Sequence, residues 1–243
     1  MKPTTVRASG DLADVMIYAP IGSYYTDGIV AKTVIEGLQA LPESTRMIRV
    51  HVNSPGGDPF DGYAIAAALH AQRQRGRAVK TIIEGLAASA ATIITSAGDP
   101  IEIYEGALMF VHNPYALTLG DARAHRSMVE ELNRITSSIV AAYRWTCPKS
   151  EQELRAMMDA DTWMDADEAV RHGFATTKKA TQAASASVAS DAVAHLGRPP
   201  ARYQSRFDAL VHRPAAATRA RVSRDPVRES WKRAFAKVTP RAW

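Results

Sequence analysis

Short apolar runs and amphipathic stretches alternate along the first 180 or so residues of the chain. Asp14-Val15-Met16-Ile17-Tyr18-Ala19, ended by Pro20 and Gly22, predicts a strand and a turn. Ile29, Val30, Val34, Ile35 and Leu38 recur at helical spacing and predict a helix from about residue 26 to 41. Met47 to Val52 reads as a second strand, broken sharply by Asn53-Ser54-Pro55-Gly56-Gly57, and the Ala-rich run from Asp61 to about Gln74 reads as a helix. A third strand is expected over Val79 to Ile83. After it, Gly85 opens the small-residue segment Leu86-Ala87-Ala88-Ser89-Ala90-Ala91, which leads into a buried helix. Leu108 to Val111 is the next strand, stopped by Asn113-Pro114.

A long helix is predicted from about Asp121 to Trp145, with Met128, Leu132, Ile135, Ile139 and Tyr143 on one apolar stripe. Ser150 with Glu153 has the form of a capping box for a helix ending near Met158. Asp165 with Glu168 starts another, which runs to about His172 and is closed by Gly173. Alternation of this kind predicts an α/β layered fold with mainly parallel strands.

Beyond Thr177 the pattern fades. Residues 180–194 are low in complexity, followed by Arg198-Pro199-Pro200 and Arg213-Pro214, with no sustained apolar period. Two regions are therefore expected: a domain over residues 1–178 and a flexible, basic appendage over residues 179–243. Charge sharpens that division. The net charge is +5, but from Thr181 onward there are 12 Lys and Arg against 4 Asp and Glu, a net of +8, which leaves the body at −3. An interaction surface is thus expected on the tail and not on the body.

A single cysteine, Cys147, excludes an intramolecular disulfide framework and any multi-cysteine zinc site. No stretch reaches the roughly 20 apolar residues of a membrane span, and the N-terminus lacks the apolar region of a signal peptide. A reducing cytoplasm is the expected compartment.

Ser89 falls where a buried strand turns into a helix. Such a turn exposes a side chain at the carboxyl edge of a sheet, while N–H groups at the helix start face a developing oxyanion. The surroundings are not the Gly-x-Ser-x-Gly elbow of the hydrolases with an eight-stranded sheet, which disfavours that family. Gly56 and Gly57 after a strand permit positive φ and leave backbone N–H groups free to point into a site. His112 ends an apolar strand, and an imidazole has the pKa needed to take a proton from a serine hydroxyl. The other histidines show no metal-ligand spacing. A carboxylate should fix the imidazole tautomer; Asp159, Asp161 and Asp165 are all in range, and composition does not choose among them.

Taken together and in order, Asn53-Ser54-Pro55-Gly56-Gly57, Gly85-Leu86-Ala87-Ala88-Ser89, Met109-Phe110-Val111-His112-Asn113-Pro114 and Asp161-Thr162-Trp163-Met164 with Glu168-Ala169-Val170 and Gly173 resemble the Clp protease proteolytic subunit family. The resemblance runs from about Asp14 to Thr177 and is greatest to its bacteriophage head maturation branch. It implies an α/β fold, the crotonase-like spiral of ββα units, with the residue 121–145 helix as a protruding handle between rings of subunits. It implies Ser89 as nucleophile, His112 as general base and then acid, and Asp161 as orienting carboxylate, with Asp159 as substitute if the register differs. The oxyanion hole would be the backbone N–H groups of Gly57 and Ala90.

The expected activity is that of a serine endopeptidase needing no cofactor and no metal, cleaving phage scaffold or capsid proteins in the host cytoplasm or inside the prohead. The expected partners are further copies of the chain, in a ring that is heptameric and stacked, together with protein substrates, but no membrane and no nucleic acid. Against the family pattern, the first strand begins within about 15 residues, so the segment by which Clp peptidases dock an unfoldase ring is expected to be shortened or missing, and no unfoldase partner is expected. The rival readings are an ATP-dependent Clp peptidase subunit, an acyl-CoA hydratase or isomerase on the same fold, a serine–lysine dyad using Lys80, and a catalytically silent ring or scaffold subunit.

Overall fold

The computed structural model describes residues 5–23, 28–180, 188–189 and 193–212. They form one compact unit reaching His212. Residues 181–187, 190–192 and 213–243, together the greater part of the expected basic tail, lie outside the described residues.

The unit is built on an eight-stranded sheet. β1 (Val6–Ser9) pairs antiparallel with β2 (Leu12–Ile17), which lies parallel to β3 (Met47–Ser54), and β3 lies parallel to β4 (Ala78–Ala88). The sheet forks at β4. Its first half pairs with β5 (Ile101–Tyr104), through Thr81–Ile83, and β5 in turn pairs with β8 (Thr177–Lys179). Its second half pairs with β6 (Leu108–Val111), through Leu86–Ala88. Finally β7 (Thr162–Asp165) closes antiparallel on β6. The fork coincides with a register shift between Val52 and Ser54 in β3, where the Leu86 N–H donates to Asn53 Oδ1 at 3.0 Å.

The third strand is thus longer than the sequence pattern indicates, and Leu86 to Ala88 are strand. The physical reason is burial on both faces. A strand covered on both sides shows no polar alternation, and small residues there read equally well as helix.

Helices cover one face. α1 (Ala31–Gln39) presents Ala31, Val34 and Leu38, and α2 (Pro59–Gln74) presents Gly62, Ile65, Ala66 and Leu69. α2 begins at Asp58, whose carboxylate accepts from the N–H groups of Phe60 and Asp61, with Pro59 supplying the preset φ of a first helical residue. The short α3 (Ala90–Thr95) is buried throughout. α4 (Ala122–Tyr143) enters the core only from Ile135 onward, so its N-terminal half projects. α5 (Glu151–Asp159) and α6 (Ala166–Arg171) carry both predicted capping boxes, Ser150 with Glu153 and Asp165 with Glu168.

Alternation along β4, β6 and β7 divides the apolar side chains between two cores. Ala87, Met109, Val111 and Met164 join the main core, while Leu86, Ala88, Leu108, Phe110 and Trp163 point to the opposite face. That second face is covered by the chain's own later segment. A 3₁₀ turn (Ala194–Leu196) and α7 (Ala201–Leu210) bring Val193, Leu196, Tyr203 and Phe207 onto it, and β9 (Val188–Ala189) pairs with β10 (Val211–His212). Burying side chains of this size contributes about 1.5–3 kcal/mol each. Residues 193–212, which the sequence pattern places in a flexible appendage, therefore fold onto the body. Their four anchors stand at helical spacing, but Gly197, Pro199 and Pro200 interrupt the run and hide the period.

Among the described residues no helix is long and apolar enough to cross a membrane.

Candidate active site

β4 ends at Ala88 and α3 begins at Ala90, so Ser89 alone makes the turn. Its backbone lies at φ 54° and ψ −128°, a region that a non-glycine residue enters at a cost of about 1–3 kcal/mol. Neighbouring bonds hold it there. The Ser89 N–H donates to the Phe110 carbonyl at 2.9 Å, while the Thr92 N–H and hydroxyl both donate to the Ser89 carbonyl. Thr92 Oγ1 is also 2.6 Å from the Tyr143 hydroxyl, tying the turn to α4. Burial of that phenol raises its pKa, so it stays protonated as a structural hydrogen-bonding group.

The glycine turn packs directly against Ser89. A Cβ on Gly56, at φ 84°, would come 2.4 Å from the Ala88 carbonyl oxygen and 2.7 Å from both the Ala90 nitrogen and Ser89 Cβ. Only glycine permits this approach. The turn is pinned by hydrogen bonds from the Ile21 N–H to the Gly56 carbonyl and from the Asp58 N–H to the Ile21 carbonyl. The Gly57 N–H takes no part in those bonds, and the Ala90 N–H lies in the first turn of α3, where the helical ladder supplies no acceptor.

His112 follows β6. It stacks on Phe110 at 4.9 Å, Phe110 stacks on Trp163 at 4.4 Å, and Trp163 meets Phe207 edge-on at 5.5 Å. Ser89, His112, Gly57 and Ala90 all line one pocket of about 170 Å³, closed by Ile93, Ile139 and Tyr143 on the helical side. His112 Nε2 is buried and has no hydrogen-bond partner among the described residues. The bond from Ser89 to that nitrogen is therefore not formed in this conformation; such bonds often tighten only in the substrate complex.

Asp161 does not line the pocket. It occupies the turn between α5 and β7 at φ 48°, exposed at its outer side. The antiparallel ladder ends with Val111 paired to Thr162, so His112 and Asp161 each lie one residue beyond its end. Asp159 accepts a hydrogen bond from the Asn113 side chain at 2.7 Å, and Asp165 caps α6. Of the three acidic candidates, Asp161 is the one at the end of the ladder that carries His112.

Burial holds the His112 pKa below the usual imidazole value; Asp161 opposes the shift, His195 reinforces it and a backbone contact at Asn113 opposes it. A general base works only when neutral, and burial lets the ring stay neutral to lower pH. The acid limb of kcat/KM is therefore expected below the ~6.5 of an unperturbed imidazole. A pH profile on a short peptide substrate checks this; a limb well above that value would mean the base is another group.

The histidine that sequence reasoning passed over in the site is His195, which lines the same pocket. The only available signal was its position between Val193 and Leu196, and nothing local links those to the sheet. The remaining histidines serve elsewhere, as with His51 between Glu84 and Asp14, and His70 stacked on Trp145. Lys80 pairs with Glu102 at 2.8 Å, at the far end of β4 from Ser89. Among the described residues no group of three or more His, Cys, Asp or Glu could hold a metal ion.

Parallel strands that deliver a serine and a histidine to one pocket, the serine on a strained strand-to-helix turn, are the architecture of an α/β hydrolytic enzyme. The profile of the Clp protease family matches residues 7–178, and the chain belongs to that family, whose activity is that of serine-type peptidases. Over 164 residues it is 26% identical to the ATP-dependent Clp protease proteolytic subunits of Streptococcus mutans and Streptococcus pneumoniae, covering 66% of this chain and 81% of theirs. Among solved structures it is similar to a mutant ClpP1 from Listeria monocytogenes, with a TM-score of 0.55 and 21% identity over 70% of this chain and 92% of that one.

Proposed function

We propose that the chain is a serine endopeptidase working through an acyl-enzyme at Ser89. Ser89 Oγ attacks the scissile carbonyl carbon and its proton passes to His112 Nε2. The tetrahedral oxyanion is held by the N–H groups of Gly57 and Ala90. The C–N bond then breaks, His112 gives the proton to the departing amine, and Asp161 stabilises the transient imidazolium. Water repeats the sequence on the acyl-enzyme, releasing the acid and restoring Ser89. The observation that carries this reading is that Ser89 on its strained turn opens into the same pocket as the buried, unpartnered Nε2 of His112.

The rival dyad reading loses its lysine, because the Lys80 ammonium is engaged by Glu102 away from the pocket. A hydratase or isomerase and a silent ring subunit remain distinguishable by chemistry. A fluorophosphonate probe is expected to modify Ser89 of the full-length protein, and the His112→Ala variant is expected to label far more slowly. A folded protein whose Ser89 stays unmodified after prolonged exposure would overturn the assignment.

In the cell the substrates are phage scaffold or capsid proteins, and the working form is a ring of copies, heptameric and stacked through α4. The projecting half of α4 supports the ring reading. A second reading is favoured by the names of the relatives: a proteolytic subunit fed by an ATP-dependent unfoldase. Co-expression with the phage head proteins, with and without Ser89→Ala, separates the two. New termini on capsid or scaffold that depend on Ser89 and need no ATPase support head maturation.

A further inference from the structure

We infer that His195, delivered by the folded C-terminal segment, is a specificity-determining residue of the proposed peptidase site, forming the wall against which the first residue after the scissile bond must fit. The inference rests on the reading of Ser89 and His112 given above.

Its starting point is where the segment lies. The Clp protease profile stops at residue 178, so residues 193–212 lie beyond the part of the chain it matches. They are nevertheless firmly seated. Val193 and Leu196 are 6% and 5% exposed and grip the apolar face of Leu86, Leu108, Phe110 and Trp163. The Tyr203 hydroxyl donates to Glu168, Arg202 reaches the same carboxylate at 3.5 Å, and Arg206 reaches Asp165 at 3.5 Å. The result is a turn, Ala194–Leu196, clamped on either side of His195, with that imidazole lining the Ser89 pocket.

Chemistry then says which part of a substrate His195 meets. The general acid must reach the departing amine, so the polypeptide leaving the site runs past His112. His195 belongs to that side. Its segment packs on β6 and β7, the strands behind His112, and the two imidazoles line the same pocket. Ile93 from α3 and Ile139 and Tyr143 from α4 line the same pocket on its helical side. With Tyr115 also lining the pocket near His112, the rings of His195 and Tyr115 narrow the space beside the leaving group. Glycine, alanine and serine fit after the scissile bond, and large apolar residues are excluded.

The test digests a proteome-derived peptide library with the full-length wild type, His195→Ala, His195→Trp and Ser89→Ala, and maps new N-termini by mass spectrometry. Wild-type cuts should fall before small residues. Removing the ring should raise the ratio of cuts before Leu or Phe to cuts before Ala by about tenfold, the discrimination that one or two methylenes in a pocket supply. The tryptophan variant should move the ratio the other way. A loosened turn would broaden the profile in both variants, so opposite shifts identify a wall, and parallel shifts overturn the inference. Profiles within about twofold of wild type in both, with cleavage still lost in Ser89→Ala, overturn it while leaving the peptidase reading intact. Cleavage that survives Ser89→Ala, or no cleavage and no fluorophosphonate labelling of Ser89, overturns both together.

Discussion

Replacing Ser89 with alanine is expected to lower peptide turnover by about six orders of magnitude, the scale seen when a triad nucleophile is removed. The substitution deletes one oxygen and little else. The bonds that hold the turn use the Ser89 backbone, its N–H to Phe110 and its carbonyl to Thr92, and these survive. Alanine meets the same positive φ with the same Cβ, so the strain already present is not increased. Circular dichroism and thermal melting should therefore match the wild type while kcat collapses. What activity persists over water would come from binding and the oxyanion donors alone. A Ser89→Ala protein of normal fold that retained more than a hundredth of wild-type turnover would place the nucleophile elsewhere.

Asp161→Asn should follow at about 10⁴-fold in kcat, because an amide neither fixes the productive tautomer nor stabilises the imidazolium. This substitution carries a second signature. Asp161 pulls the His112 pKa upward against burial. Without its charge the imidazolium is less favoured, so the acid limb should move to lower pH while the plateau falls. Asp159→Asn is the contrast. Its carboxylate accepts from Asn113 at the surface, a bond worth about 1 kcal/mol, so the loss should stay within about tenfold. If the two variants exchanged places, with Asp159→Asn the deeper loss and the one that shifts the limb, the orienting role would pass to Asp159.

Local pattern made much of the fold legible. The helical stripe of α1, the capping boxes at Ser150 and Asp165, and the glycine break after β3 are all short-range features, readable because each is set by a few adjacent residues. β1 was missed because four residues at an edge carry little apolar signal. The second half of β4 was hidden by double burial. The candidate site divides the same way. Ser89 and His112 stood out as residue types at element ends, and four ordered motifs gave the resemblance. Asp161 could not be separated from Asp159 by composition, since two residues apart in a turn they differ only in what the β6–β7 register sets beside them.

His195 marks the limit most clearly. It falls in a stretch whose Ala, Ser, Pro and Arg content reads as appendage, and its anchors Val193, Leu196, Tyr203 and Phe207 have meaning only against the apolar face of β4, β6 and β7. The sequence by itself determined the elements, their α/β order, the family and the residue types able to carry out acyl transfer. It did so because propensity, capping and periodicity are properties of neighbours along the chain. Only the tertiary structure decided that β4 forks, that Gly56 abuts Ser89, that Asp161 and His112 lie just beyond one end of the β6–β7 ladder and that a distant imidazole walls the pocket. Those facts depend on strand order and register, which bring together residues as far apart in the chain as Gly57 and His195 through packing that no local window contains.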